Sequence, residues 1–378
     1  MNKQKLCFVT AARSEYGLLK WLMDDMRGSE IFEMQIVVTG SHLLYDQGHT
    51  VDEIREDGFC ITETVSVNFD LSSKAGIASS MGKMGEAFAH VFEKLKPDYL
   101  LVLGDRYELM PICSTAFVMG IPIIHISGGD ETKGAIDDGI RNAVTMLASY
   151  HFPGTVTAAK NIERMTGSSK NIWAVGELGL DAFHHINLMS RQELAENIGL
   201  NENSQWILMT YHAETKQDLE YNMAAACNCV EILNELNDYQ VLITYANADF
   251  FGTQINTYFQ HWAEKKPKQF KVIPSLGQKR YLSYMKQVSF VIGNSSSGIV
   301  EAPCLEIPVV NIGNRQEGRY LCNNIVQSGI QKAEIRHAVQ TALHRKINRD
   351  DLKYWGDGHA SERIKGTLEK IAVSEMQV

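Results

Sequence analysis

The chain lacks the short signatures by which many enzymes declare a cofactor. No GxGxxG, no P-loop GKS or GKT and no HExxH occurs in its 378 residues. A nicotinamide dinucleotide, a P-loop nucleotide site and a zincin-type zinc site therefore have no motif to rest on. Positive charge is also short: the net charge is −9, which argues against nucleic acid as a main partner, although an anionic ligand needs only local positive potential. No apolar stretch has the length of a membrane span, so no membrane partner is expected. At the N-terminus the apolar run at 7–9 is short and closed by Arg13, which is not a signal-peptide pattern. The seven cysteines are odd in number, scattered and mostly set in apolar runs, as free buried thiols are, and a reducing cytoplasm is the expected location. Cys227 and Cys229 form a C-x-C pair too sparse for zinc, so no metal is expected.

What is present is ordinary globular composition, 44% hydrophobic and 21% charged, over a length that favours two domains. Short apolar runs alternate with segments of helical apolar spacing. In the first half, strands are expected at 5–11, 34–40, 99–103 and 121–126, with helices after Thr10-Ala11-Ala12-Arg13, over 78–95 and from about Glu108. Residues 43–75 read as polar and irregular. After a strand-like run at 172–175, Gly176-Glu177-Leu178-Gly179-Leu180-Asp181 reads as a hinge. The alternation then restarts, with strands at 206–211, 240–245, 270–273, 288–292 and 308–312 and helices near 216–236, 253–265, 279–286, 332–345 and 360–372. The economical fold class is α/β: two doubly wound Rossmann-like domains facing across a cleft. The boundaries fall at 1–178, joined by the C-terminal helix 360–378, and at 179–359.

One stretch dominates the second half. The apolar run at 288–292 ends at Gly293, and Asn294-Ser295-Ser296-Ser297-Gly298 follows before a helix start. A strand, a tight Gly/Ser loop and a helix N-terminus leave backbone N–H groups pointing one way, which favours a phosphate. Glu301 falls about one turn later, where a carboxylate can accept from two ribose hydroxyls, and Pro303 shortens or bends the helix. A polar turn that merely caps a helix also fits these residues. Arg315 and Arg319 follow the next strand; they suit the same anion or a solvated surface loop. His212 ends the strand at 206–211, and Asn247 the next one.

The first half collects acids instead. Strand ends deliver Gly104-Asp105-Arg106, then Gly128-Gly129-Asp130-Glu131, and Asp137-Asp138 and Arg141 follow. Asp105 alone would pass as a helix N-cap. The concentration of ionisable groups at strand ends is what proton-moving chemistry needs and a purely structural domain does not. Arg13 stands at the end of the first strand, where it could pair with a phosphate or simply face solvent.

Taken together, the chain resembles the UDP-N-acetylglucosamine 2-epimerases, in particular the hydrolysing branch used in sialic-acid-type sugar synthesis. The resemblance rests on TAARSEYG (10–17), VLGDRYE (102–108), HISGGDETKGAIDDGIRN (125–142), GELGLD (176–181), TYHAET (210–215), ANAD (246–249), GNSSSGIVEAP (293–303) and NIGNRQEGR (311–319). Each motif is modest, but their shared order over nearly the whole chain is specific. It implies the glycosyltransferase-B architecture, with the nucleotide held mainly by the second domain, no cofactor and a homodimer. By the same resemblance Ser295 and Ser296, with the amides around Gly298, would hold the diphosphate of a UDP-sugar and Glu301 its ribose. Arg13 would reach the diphosphate, His212 would lie by the departing UDP, and Asn247, Arg315 and Arg319 would line the same mouth. Asp105 and Asp137 match carboxylates that handle a proton at the sugar. Where family members carry a glutamate this chain has Ser127, which cannot serve as a base; Asp130 or Glu131 is the candidate replacement. The implied reaction converts UDP-N-acetylglucosamine to N-acetylmannosamine and UDP through a glycal. Its alternatives are the same reaction on UDP-2,4-diacetamido-2,4,6-trideoxyglucose and the non-hydrolysing epimerase.

Overall fold

The computed structural model describes residues 3–45, 48–67, 73–131, 136–246, 251–348 and 352–375. It divides into two compact units. The first comprises Met1–Asp130, Asp137–His185 and Trp355–Val378, the second Glu131–Ile136 and Ile186–Tyr354.

The first unit carries a six-stranded sheet of β1 (Gln4–Thr10), β2 (Phe32–Thr39), β3 (Glu63–Val65), β4 (Tyr99–Leu103), β5 (Ile123–Ile126) and β6 (Tyr150–Phe152). Its order is β3-β2-β1-β4-β5-β6 and its pairings are parallel. A parallel sheet needs cover on both faces, which is why β1 reads as an unbroken apolar run. Leu6 and Phe8 join a core with Tyr16, Leu19 and Leu22 of the Arg13–Met26 helix. Cys7 and Val9, on the opposite face, join Met84, Phe88 and Phe92 of the Lys74–Leu95 helix. The methionine-containing stripe is thus core packing. That helix starts at Ser73, whose hydroxyl accepts from Gly76 N–H at 3.0 Å, and ends at Lys96 in the left-handed region, just before Pro97.

The C-terminal helix Ala360–Glu375 returns to the first unit and buries Ala360, Ile364, Leu368 and Ala372 in the Leu6–Phe8 core. Its start is fixed by a residue far away in sequence. The fully buried Asp181 accepts from Ala360 N–H at 2.9 Å and Ser361 N–H at 2.6 Å. One acid of the GELGLD motif is therefore a helix anchor.

The second unit carries β7 (Gln205–Thr210), β8 (Tyr239–Thr244), β9 (Phe270–Ile273), β10 (Phe290–Gly293), β11 (Val309–Ile312) and β12 (Ile325–Ser328), in the order β12-β11-β10-β7-β8-β9. Numbered from its own first strand and read from the β9 edge, this is again 3-2-1-4-5-6, the doubly wound order.

Several expectations need correction. Residues 43–75 are not uniformly irregular: they contain a helix, Val51–Glu56, and β3. Strands β6 and β12 were not expected, and 172–175 forms only a single bridge, from Ile172 to His151. These pieces are short, and β3, β6 and β12 each form one edge of a sheet. The compact units divide at 130/131, 136/137, 185/186 and 354/355. Among the described residues no helix is long and apolar enough to cross a membrane. Cys7, Cys113, Cys229 and Cys322 are buried, and Cys60 and Cys304 are exposed.

Candidate functional site

In a sheet of order 3-2-1-4-5-6, the first and fourth strands are neighbours whose connections leave in opposite directions, and their carboxyl ends open a crevice. In the second unit these are β7 and β10. Their register pairs Gly293 with Thr210, so the 294–297 loop and the 211–214 loop leave side by side. Gly293 has φ +135°, and a Cβ there would lie 1.9 Å from the Thr210 carbonyl oxygen. Only glycine permits this approach.

Asn294 then acts as a strut. Its Oδ1 accepts from His212 N–H at 2.7 Å and its Nδ2 donates to the His212 carbonyl at 2.8 Å. The side chain completes a backbone-like pair, and both Asn294 and His212 are buried. The Asn294 carbonyl in turn accepts from Arg315 Nη1 at 3.1 Å and from Gln316 Nε2 at 2.9 Å. Ser295, His212 and Arg315 are thereby drawn to one point.

Ser295 is the N-cap of the Ser296–Cys304 helix, which contains Pro303 and is short as expected. Ser296 is exposed at its first turn. Gly298 is buried, and a Cβ there would come within 3.1 Å of Val309 Cγ1, so the helix lies close on the sheet. Loss of hydration pushes the Glu301 carboxyl up to about 7, against the lowering influence of Arg319. Glu214, fully buried, accepts from Asn314 N–H at 3.0 Å, and burial raises its pKa. It holds the start of the NIGNRQEGR loop.

In the first unit the corresponding strands are β1 and β4. Arg13 opens the helix after β1, and Asp105 follows β4 by two residues. The Arg13 turn is held by Glu15, whose Oε2 accepts from Ala11 N–H at 2.7 Å and Ala12 N–H at 3.1 Å. Burial pushes the Glu15 carboxyl up to about 8. Beside it His42, hydrogen-bonded to Thr10 and Thr50, is kept neutral, its pKa brought down to about 3 by burial and by Arg106.

Asp105 pairs with Arg141, whose guanidinium is 1% exposed. Arg141 also donates to the Asp130 carbonyl at 2.7 Å and lies 3.5 Å from Asp138. Burial pulls the Arg141 pKa down, but Asp105, Asp130 and Asp138 reverse this and hold it above the ordinary value. Asp137 is the first residue of the Asp137–Leu147 helix that carries Arg141, so this cation ties the start of that helix to Asp105. Ser127 lies in the left-handed region at φ 59°. Glu131 groups with the second unit, where a Cβ on Gly318 would fall 2.9 Å from its Cβ. Among the described residues no group of three or more His, Cys, Asp or Glu could hold a metal.

The sequence model of the family described as UDP-N-acetylglucosamine 2-epimerase matches residues 24–369. The chain belongs to that family. A Campylobacter jejuni protein named GDP/UDP-N,N'-diacetylbacillosamine 2-epimerase (hydrolyzing) is 34% identical over 330 residues, 87% of this chain and 85% of the relative. A Legionella pneumophila protein named UDP-N,N'-diacetylbacillosamine 2-epimerase (hydrolyzing) is 29% identical over 371 residues, 97% of this chain and 96% of the relative. The solved UDP-GlcNAc 2-epimerase of Neisseria meningitidis, bound to UDP-GlcNAc, shares the epimerase fold. Its TM-score is 0.81 at 17% identity, covering 97% of this chain and all of that one. The family resemblance seen in the motifs is thus borne out, and so is the pair of Rossmann-like units.

The 2-epimerase-family site residues named from sequence fall into two groups. Ser295, Ser296, Gly298, Glu301, His212, Arg315 and Arg319 belong to the second unit, and Arg13, Asp105 and Asp137 to the first. Glu131 sits in the second unit rather than with the acids of the first. Asn247 lies outside the described residues. Asn294, Gln316 and Glu214 act as supports and Arg141 as a tie, roles that the motifs alone do not assign. The only signal for them was their position inside motifs.

Proposed function

We propose that the chain is a hydrolysing 2-epimerase of a UDP-2-acetamido sugar, with UDP-N,N'-diacetylbacillosamine as substrate ahead of UDP-N-acetylglucosamine. The first of these is the UDP-2,4-diacetamido-2,4,6-trideoxyglucose that the sequence reading ranked second. The relatives at 34% and 29% identity carry its name, which supports the new order. The two sugars differ at C4 and C6 alone.

The reading rests on one observation: two doubly wound sheets bear opposite chemistries at their switch points, a serine-rich anion loop in one and an Asp–Arg cluster in the other. The C2 hydrogen of the sugar has no neighbouring carbonyl and is not acidic. Departure of UDP from C1 builds positive character there and makes that hydrogen removable. The first demand is therefore to stabilise the leaving diphosphate, by the loop amides with Ser295 and Ser296 and by Arg13, Arg315 and Arg319. Glu301 accepts from the ribose hydroxyls, and His212 lies by the phosphates. Asp105 or Asp137 then takes the C2 proton, with Glu131 as the third acid, and the products are a 2-acetamidoglycal and UDP. Water adds across the double bond, its oxygen to C1 and a proton to C2 from the opposite face. This gives the free 2-epimer. No cofactor is called for, and the substrate is the expected partner.

The test is incubation of the full chain with each donor, in D2O, followed by phosphorus and proton spectra. Free UDP and the free 2-epimer carrying deuterium at C2 are expected, with the larger kcat/KM on the diacetamido sugar. An epimer still attached to UDP would identify a non-hydrolysing enzyme. UDP release only with an added acceptor would identify a glycosyltransferase. A larger kcat/KM on UDP-N-acetylglucosamine would restore the original order of substrates.

A further inference from the structure

Behind the anion loop of the second unit runs a line of hydroxyls, of which only the last, Ser295, has a role above. Thr244 and Thr210 are register partners on β8 and β7, both buried, with Oγ1 atoms 2.7 Å apart. Thr210 Oγ1 lies 3.4 Å from the hydroxyl of Tyr281, a residue of the Gly277–Met285 helix. Tyr281 Oη is 2.6 Å from Ser297 Oγ, which is 2.9 Å from Ser295 Oγ. Four contacts thus link five hydroxyls from inside the sheet to the loop.

Each hydroxyl has one hydrogen to give, so such a line runs in one direction or the other. Ser295 Oγ also accepts from Ser297 N–H at 3.4 Å. With that donor and the Ser297 hydroxyl both directed at its oxygen, the remaining use for the Ser295 hydrogen is outward. An anion on the loop offers only acceptors and selects this direction: Thr244 to Thr210, Tyr281, Ser297, Ser295 and the ligand. Aligned hydroxyls polarise one another and strengthen the terminal donor. A phenylalanine at 281 would fill the same space but break the line at its centre.

We propose that Tyr281 is a positioning residue for the anion loop, passing hydrogen-bond polarity from the Thr244–Thr210 pair through Ser297 so that Ser295 presents its hydrogen to a bound diphosphate. This rests on the nucleotide reading of that loop and assigns it a specificity for charge: Tyr281 serves the phosphates and not the base or ribose.

The test is titration of the full chain and its Tyr281→Phe, Ser297→Ala and doubly substituted forms with UDP by calorimetry and with uridine by NMR, alongside thermal melts. Tyr281→Phe is expected to weaken UDP binding about threefold, a fraction of what one hydrogen bond to a charged group is worth, because it removes the polarisation of the Ser295 donor and not that bond itself. Uridine binding and the melting temperature should hold. Ser297→Ala should lose a similar factor, and the double form should be no weaker than Ser297→Ala, because both cut one line. The proposal is overturned if Tyr281→Phe binds UDP within twofold of wild type, if UDP and uridine lose equally, or if the two losses multiply. Should Tyr281→Phe fail to fold, Ser297→Ala decides alone, and UDP binding within twofold of wild type overturns the proposal. Wild-type protein that binds no UDP would overturn the nucleotide reading as well, whereas unequal fates of wild-type binding and variant loss keep the two apart.

Discussion

Replacing Asp105 by asparagine separates chemistry from architecture, because this residue has one proposed job and one observed one. Its carboxylate is the candidate base at the sugar, and it is also a counter-charge of Arg141, a guanidinium with 1% exposure. Asparagine keeps an acceptor oxygen but removes the charge and the basicity. A positioned base is worth about 10²–10⁴ in rate, so turnover should fall at least roughly a hundredfold. Stranding a buried cation costs roughly 3–5 kcal/mol when no other partner remains. Here Asp138 at 3.5 Å and the Asp130 carbonyl at 2.7 Å stay in place. With these partners, and with Asp105 itself partly exposed, the expected loss is about 2 kcal/mol. The assay pairs UDP release at saturating donor with urea unfolding. Asp138→Asn is the control, since it disturbs the same cation without removing the base: it should lose up to about 1 kcal/mol and keep turnover within about threefold. Unchanged turnover in Asp105→Asn would remove that residue from the proton path. An equal loss in Asp138→Asn would show that the Asp105 effect is architectural.

Four further outcomes follow from Glu301, Gly293 and Glu15. Glu301→Ala should weaken UDP binding at least about tenfold through loss of a charged acceptor; equal calorimetric affinities would end its ribose role. Because the Glu301 carboxyl lies at about 7, it gains acceptor character as pH rises through neutrality. UDP affinity should therefore tighten from pH 6 to pH 8 more in wild type than in Glu301→Gln, and parallel curves would refute this. Gly293→Ala places a Cβ 1.9 Å from the Thr210 carbonyl; a stability loss of at least about 3 kcal/mol with loss of UDP binding is expected, and a melting curve like that of wild type would refute the close packing. Glu15, at about 8 against an ordinary 4.5, keeps a proton in the folded state that the unfolded chain has released. Stability should therefore fall as pH rises from about 5 to about 8, by about 3 kcal/mol. Glu15→Gln should flatten that slope in urea titrations at each pH, and an equal slope in both forms would contradict it.

The long central strands were legible because a parallel sheet buries both faces and writes its strands as continuous apolar runs, as at 99–103 and 206–211. The Gly/Ser loop was legible because close backbone approach and helix capping demand those residue types. β3, β6 and β12 were not: each is three or four residues long and carries polar residues that break the apolar run. Alternation of strands and helices likewise carries no strand order.

The sequence on its own settled residue chemistry and family: which serines, acids and arginines follow which strands, and that eight such motifs occur in one order. Tertiary structure decided which of them meet. His212 and Asn294 are 82 positions apart and share two hydrogen bonds, and Arg141 reaches back 36 positions to Asp105. It also placed Glu131 with the second unit. The physical reason is that propensity and hydrophobic period act over a few residues. The strut, the buried ion pair and the hydroxyl line exist only once register brings distant strand ends together.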